Sequence, residues 1–373
     1  MYEILVYTRN VIIRFFYVNI FKPFFFCFDP ELVHNRMLGV GMLLGGSPLT
    51  KALTGMFFDY RNSILVQTLC GIRFANPVGL SAGFDKNAVL TDILSSVGFG
   101  FAEVGSITGE PCAGNLGRHL WRLPKDRSLV IYYGLKNDGA EIISKRLHNK
   151  KLCIPIGISV AKTNSPATVD AGAGVRDYVK AFKLFSDVGA YTTINISCPN
   201  AFGGQPFSDP QLLEQLLVQT DAIITHKPTF LKLSPDLSFD ELNAILDVSM
   251  RHKIDGFICT NLIKDRSQIK ALENLPQQGG ISGKLIENRS NELISNVYRA
   301  THGKKIIIGC GGIFTAEDAY RKIRLGASLL QLITGMIYEG PQVISQINQG
   351  LACLLKRDGF RSISEAIGVD NQL

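Results

Sequence analysis

The chain has 373 residues, 46% of them hydrophobic and 19% charged, and a net charge of +7. That length exceeds one average domain and suits one barrel-sized domain plus an appendage, with a large core. Its basic residues are scattered rather than gathered into a stripe, which excludes a nucleic-acid footprint.

The N-terminal stretch MYEILVYTRNVIIRFFYVNIFKPFFFCF is unusually aromatic. A transmembrane helix needs about 20 uninterrupted apolar residues. Here Arg9, Asn10, Arg14, Asn19 and Lys22 interrupt the run, and Pro23 is expected to break it. No small-residue cleavage site follows, so a secretory signal is not indicated. The segment is predicted to form one or two short amphipathic helices in a membrane interface, with Arg and Lys at headgroup level. The mild positive charge suits an anionic surface. DPELVHNRMLGVGMLLGG (29–46) predicts another amphipathic helix, with Asp29 as N-cap, Pro30 first and a glycine pair ending it. The plainer alternative is that these helices only cover one end of the next domain. Residues 46–70 are read as a linker, giving an N-terminal segment over 1–65 and a main domain over 66–373.

From residue 76 one rhythm sets in. Apolar runs at 76–82, 101–107, 154–160, 191–197, 230–234, 256–261, 305–312 and 329–335 alternate with helix-length segments. Short, β-branched, almost unbroken apolar runs are the mark of parallel strands buried on both faces. Eight such units predict an α/β fold, a (β/α)8 TIM barrel, with a doubly wound open sheet as the alternative. The 36 glycines, mostly at the ends of these runs, fit tight strand-to-helix turns. The eight cysteines form no CxxC pair and read as reduced thiols, most of them small buried hydrophobes.

Catalytic groups of such barrels sit at the C-terminal strand ends. Those ends carry Ser81, Lys86, Ser106, Ser159, Asn195, Cys198, Asn200, Lys232, Thr260, Asn261, Gly311, Gly312 and Thr334. They offer amides, hydroxyls, two lysines and a thiol, with no carboxylate pair for glycoside hydrolysis and no metal-ligand cluster. GCGGIFTAEDA (309–319) and ITGMIYEGP (333–341) place glycine turns before helices at the last two strands, where barrels often hold a phosphate. A phosphorylated cofactor is therefore expected, and FMN fits best. Lys232 at the flavin pyrimidine edge would stabilise the reduced ring. An ion pair at the barrel mouth and a Schiff base are the other readings of that lysine.

NPVGLSAGFDKNA (76–88), VGSITGEPCAGN (104–115), RLPKDRSL (122–129), INISCPN (194–200), KLSPDL (232–237), CTN (259–261), GGISGK (279–284), GCGGI (309–313) and IRLGASLLQL (323–332) together resemble dihydroorotate dehydrogenases. The N-terminal helices are similar to those of the membrane-associated, quinone-using class 2 branch. The resemblance implies FMN-dependent oxidation of dihydroorotate to orotate in pyrimidine biosynthesis, with membrane quinone as acceptor. It implies peripheral attachment to the cytoplasmic face of a bacterial inner membrane, or to the mitochondrial inner membrane.

By the resemblance, Ser81, Ala82, Gly83, Lys86, Ser106, Ser159, Asn195, Lys232 and Thr260 line the flavin. Ser282, Gly283, Gly311, Gly312, Ile333 and Thr334 border its tail and phosphate. Lys86, Asn195, Asn200 and Asn261 bind the substrate, His34 and Arg122 border the quinone tunnel, and Cys198 is the base that takes the C5 proton. Class 2 members usually carry serine at that position, and cysteine is the habit of soluble class 1. Further departures are Ile131 for an asparagine at the substrate, Ser159 for a flavin-side asparagine, Leu262 and Ala201 for threonines, and Ile333 for a tyrosine. They raise two alternatives: a same-fold FMN oxidoreductase acting on another ring, or a barrel that binds FMN or phosphate without catalysis.

Overall fold

Each of the eight apolar runs becomes a strand, and the strands close on themselves. The computed structural model describes residues 1–269 and 275–371. It begins with α1 (Tyr2–Phe16), a π turn (Tyr17–Phe21), α2 (Lys22–Phe26), α3 (Pro30–Gly45) and α4 (Pro48–Phe58). A hairpin of β1 (Gln67–Leu69) and β2 (Ile72–Phe74) leads into β3 (Val78–Leu80) and β4 (Phe101–Thr108). Next come β5 (Leu120–Leu123), β6 (Ser128–Ile131), α5 (Ala140–Leu147), β7 (Ile156–Ala161), α6 (Ala171–Leu184) and β8 (Tyr191–Asn195). They are followed by α7 (Pro210–Asp221), β9 (Thr229–Lys232), α8 (Phe239–Met250), β10 (Gly256–Cys259) and β11 (Gly280–Gly283). The chain ends through α9 (Glu287–Ala300), β12 (Ile306–Cys310), α10 (Ala316–Arg324), β13 (Leu329–Leu332), α11 (Thr334–Glu339) and α12 (Val343–Arg357). Strands β3, β4, β7, β8, β9, β10, β12 and β13 form the closed parallel barrel in that order. Nearly every barrel-strand residue is buried, as a sheet covered on both faces requires.

The barrel is closed at one end and open at the other. Phe74 of the β1–β2 hairpin stacks edge-on to Phe101 and shares one apolar cluster with Tyr191, Phe230 and Leu329 at or next to the strand starts, a plug for that end. The hairpin turn uses Cys70 and Gly71, both at positive φ, as two-residue hairpins of this hand need. At the opposite end β5, β6 and β11 form an antiparallel sheet, with Ile131 paired to both Leu120 and Gly280. Sequence periodicity marked neither device, because the partners β6 and β11 are short and far apart in the chain.

The helical N-terminus differs from expectation in three ways. Residues 46–70 are not a plain linker, since Ser47 caps α4 by accepting from Leu49 N, with Pro48 in its first turn. That is the usual way a helix opens with proline. Pro23 does not stop the helix either, and Tyr2–Phe26 runs on as one helical stretch. The π turn immediately before it widens the helix at the site of the missing N–H.

Lastly, Arg9, Asn10 and Arg14 face the barrel rather than a headgroup layer. Arg9 donates to Met56 O, Asp59 O and Ser345 Oγ, and Asn10 donates to Ser345 Oγ. Arg14 pairs with Glu339 at 2.6 Å, and Tyr17 Oη donates to Ile337 O at 2.8 Å. The side turned away from the barrel is apolar, with Ile4 70% exposed, and α3 and α4 add Leu43 (75%) and Leu49 (69%). By length and composition this first helix is long and apolar enough to cross a membrane. Its polar face, however, is already bonded to the protein. Asp29 caps α3 as expected, accepting from Glu31 N and Leu32 N.

Candidate active site

The open end of the barrel holds a cavity of about 180 Å³. One water needs roughly 10–15 Å³, so the space suits an organic ligand. Ser81, Ala82, Gly83, Lys86, Ser106, Asn195, Cys198, Asn200, Lys232, Thr260, Asn261, Ser282, Gly283, Gly311, Gly312, Ile333, Thr334 and His34 all line it. Seven of the eight strand ends, the extra sheet and α3 thus bring these residues to one place, and β7 contributes none. Ser159 and Arg122 are the exceptions.

Ser159 is fully buried behind the wall, 2.7 Å from Ser106 Oγ, and its side chain is too short to reach past that serine. It begins a chain of hydrogen bonds. Asn195 Nδ2 donates to Ser106 Oγ (2.8 Å), and Asn261 Nδ2 donates to Asn195 Oδ1 (3.1 Å) and Ser197 Oγ (3.0 Å). Tyr178 Oη holds the Asn195 carbonyl from behind at 2.7 Å. Such a connected network fixes both amides before any ligand arrives. Asn200 is fixed separately, donating from Nδ2 to Ile131 O at 2.8 Å while its carbonyl accepts from Asn115.

Cys198 lies on the loop that leaves β8, between these amides. Burial pushes its thiol above the usual range, while the Asn200 backbone N–H, Lys232 and Lys162 act in the opposite sense. Lys162 also ties the loop down, donating to Phe202 O at 2.7 Å. Lys232 is 4% exposed, and its ammonium makes no hydrogen bond or ion pair among the described residues, although it borders the cavity. The Lys86 ammonium lies 3.7 Å above the Tyr133 ring, and burial lowers its pKa to about 8.

At the last two strands, Gly311 and Gly312 adopt φ of +112° and +73°. A methyl group on Gly311 would come within 2.9 Å of Ile286, and one on Gly312 would strike Glu287. The turn therefore admits only glycine and leaves its backbone facing the cavity. Ser282 and Thr334 hydroxyls stand 2.8 Å apart beside it. The expected free helix N-terminus is less open than the sequence implied. Thr315 and Asp318 form a capping box on α10, and Asp318 also takes the Phe314 N–H. The glycine turn and the two hydroxyls are the groups there that could cradle an anion.

The cavity continues toward the N-terminal helices between apolar walls that include Leu120, Leu129, Phe314 and Ile337. His34 lies on this passage, edge-on to Phe84 at 4.8 Å. Its Nε2 is buried without a partner among the described residues, and burial and Lys86 pull its pKa to about 3, so the ring is neutral. Arg122 lies outside the cavity. Its guanidinium stacks on Phe26 at 4.4 Å and donates to Phe28 O at 2.8 Å, which joins the helical cap to β5. Tyr133 and Lys136 line the cavity and were missed from the sequence. Tyr133 was legible only as an aromatic residue two positions past the end of β6, before Gly134.

Fold and cavity together define the class: a closed parallel (β/α)8 barrel with its candidate active site at the C-terminal strand ends. The family model described as dihydroorotate dehydrogenase matches residues 64–355. A "Dihydroorotate dehydrogenase (quinone)" of Haloarcula marismortui is 37% identical over 94% of this chain and 99% of its own length. One from Trichormus variabilis is 41% identical over 92% of this chain and 94% of its own. The crystal structure of DHODH from Eimeria tenella in complex with ferulenol superposes with a TM-score of 0.80 at 29% identity, covering 92% of this chain and 96% of that one. This chain belongs to the dihydroorotate dehydrogenase family, whose members are flavin-dependent oxidoreductases.

Proposed function

We propose that this chain oxidises dihydroorotate to orotate through bound FMN and delivers the electrons to a membrane quinone. The observation that carries the reading is the convergence of a thiol, three fixed amides and two lysines, Lys86 and the buried Lys232, on a cavity that opens into an apolar passage toward exposed apolar helices. The donor set fits FMN: a glycine cradle and two hydroxyls for the phosphate, and for the ring the Lys232 ammonium, which has no partner among the described residues. When bound, FMN supplies the hydride acceptor.

The chain's own residues do the rest. Asn195, Asn200 and Asn261 hold the substrate ring in one orientation, and Lys86 supplies a cation for its carboxylate. Cys198, as thiolate, takes the proton from C5 of the substrate, and bound FMN would supply the acceptor for the hydride from C6. A base of this kind works only within hydrogen-bond reach of its proton. Ser159 has no contact role in this reading and instead holds Ser106. Residues 1–65 act as the quinone-admitting cap and 66–373 as the FMN barrel. The bonded polar face of α1 and the apolar face opposite it support peripheral attachment in the plane of one leaflet. The face assigned is the cytoplasmic side of a bacterial inner membrane or its mitochondrial counterpart.

Ile131 and Leu262 both line the cavity, and they favour a second reading in which the ring oxidised is not dihydroorotate. Anaerobic reduction of the bound flavin by L-dihydroorotate separates the two.

A further inference from the structure

Lys322 of α10 is completely enclosed, at 0% exposure. Its ammonium donates to Ser290 Oγ and Asn291 Oδ1, each at 2.8 Å, and neither acceptor is charged. The titratable groups facing it are Glu287 of α9, Asp318 of α10, and the thiols Cys259 of β10 and Cys310 of β12. Glu287 and Asp318 both pair with Lys284 instead. A buried cation without a counter-ion tends to lose its proton, and burial here brings the Lys322 pKa down to about 7.

Its location gives this a purpose. Ser290 Oγ also donates to the carbonyl of Cys310 at 2.8 Å, the residue just before the glycine turn. A methyl group on Gly311 would lie 3.5 Å from Ser290 Cβ. The ammonium thus stands one side chain behind the anion cradle.

We propose that Lys322 is the counter-ion of the cofactor phosphate, acting through the Ser290 layer, and that it takes up a proton when the phosphate binds. This rests on the FMN reading above. A nearby anion favours the charged lysine and raises its pKa in the bound state. Affinity is then greatest below the free-state pKa and declines as pH rises through the bound-state value, at most about tenfold per pH unit.

The test dilutes the yellow holoenzyme across a range from about pH 6 to about pH 9.5 and reads released FMN by its fluorescence. The wild type should release more FMN as pH rises. Lys322→Arg should bind tightly with a flat profile, and Lys322→Met should bind weakly with a flat profile. Wild type exchanged with riboflavin, which lacks the phosphate, should show no lysine-linked slope, and this comparison decides the matter if Lys322→Met does not fold. A flat wild-type profile overturns the inference, as does an equal slope in Lys322→Met or with riboflavin. A flat profile on a yellow protein sinks this inference alone, whereas a protein that purifies without flavin sinks the FMN reading with it.

Discussion

Replacing Cys198 by alanine separates the chemistry of the site from its architecture. The substitution removes one sulfur that accepts a hydrogen bond from the Asn200 N–H. Losing that contact and a small buried group costs about 1 kcal/mol, far below the roughly 5–15 kcal/mol that holds a domain folded. Asn195, Asn200 and Asn261 keep their own partners, so flavin and substrate should still bind.

The kinetic loss should be much larger. A positioned base contributes about 10²–10⁴ in rate, or roughly 2.7–5.5 kcal/mol of barrel-site transition-state stabilisation. The sign of the pH dependence follows from the thiol. Only the thiolate accepts a proton, and burial places the Cys198 pKa above its ordinary value despite Lys232 and Lys162. An unperturbed thiol would be only a few per cent ionised at neutral pH. The rate of flavin reduction should therefore climb about tenfold per pH unit across the neutral range and level off above the thiol pKa. Rapid-mixing reduction under anaerobic conditions reads both effects. A Cys198→Ala protein that bleaches at the wild-type rate would refute the assignment.

Ile131→Asn should tighten orotate binding. It returns an amide where a ring polar group is otherwise unpaired, worth about 1–3 kcal/mol and so roughly 5- to 150-fold in Kd. Equilibrium titration would show it, and unchanged or weaker binding would favour the second substrate reading. Gly312→Ala forces a side chain into φ +73° and against Glu287. It should purify with little flavin, so a full flavin complement would contradict the cradle. Removing residues 1–45 deletes His34 and the apolar face, and should impair quinone turnover while sparing flavin reduction by substrate. Steady-state assays with quinone and with a water-soluble acceptor distinguish those outcomes, and retained quinone turnover would count against the cap.

The barrel was legible because parallel strands covered on both faces leave a direct trace, an apolar run with no alternation. β7, for example, is buried at every position from Ile156 to Ala161. The cap of α3 was legible for a similarly local reason, since Asp29 and Pro30 act within one turn. What was hidden depends on distant partners. The pairing of Ile131 with Gly280 joins residues about 150 positions apart, and nothing in either segment names the other. The inward turn of Arg9 and Arg14 needed the positions of Ser345 and Glu339. Ser159 and Arg122 show the same limit at the site. Sequence motifs place a residue on a strand, but one side-chain length decides between lining a cavity and supporting the residue that does.

The most direct test of the central claim adds L-dihydroorotate to the purified yellow protein without oxygen and follows the visible absorbance of the bound flavin. Prompt bleaching is the predicted result, with Cys198 acting as base on a quinone-type scaffold. A flavin that stays oxidised would contradict the account and move the barrel to another substrate.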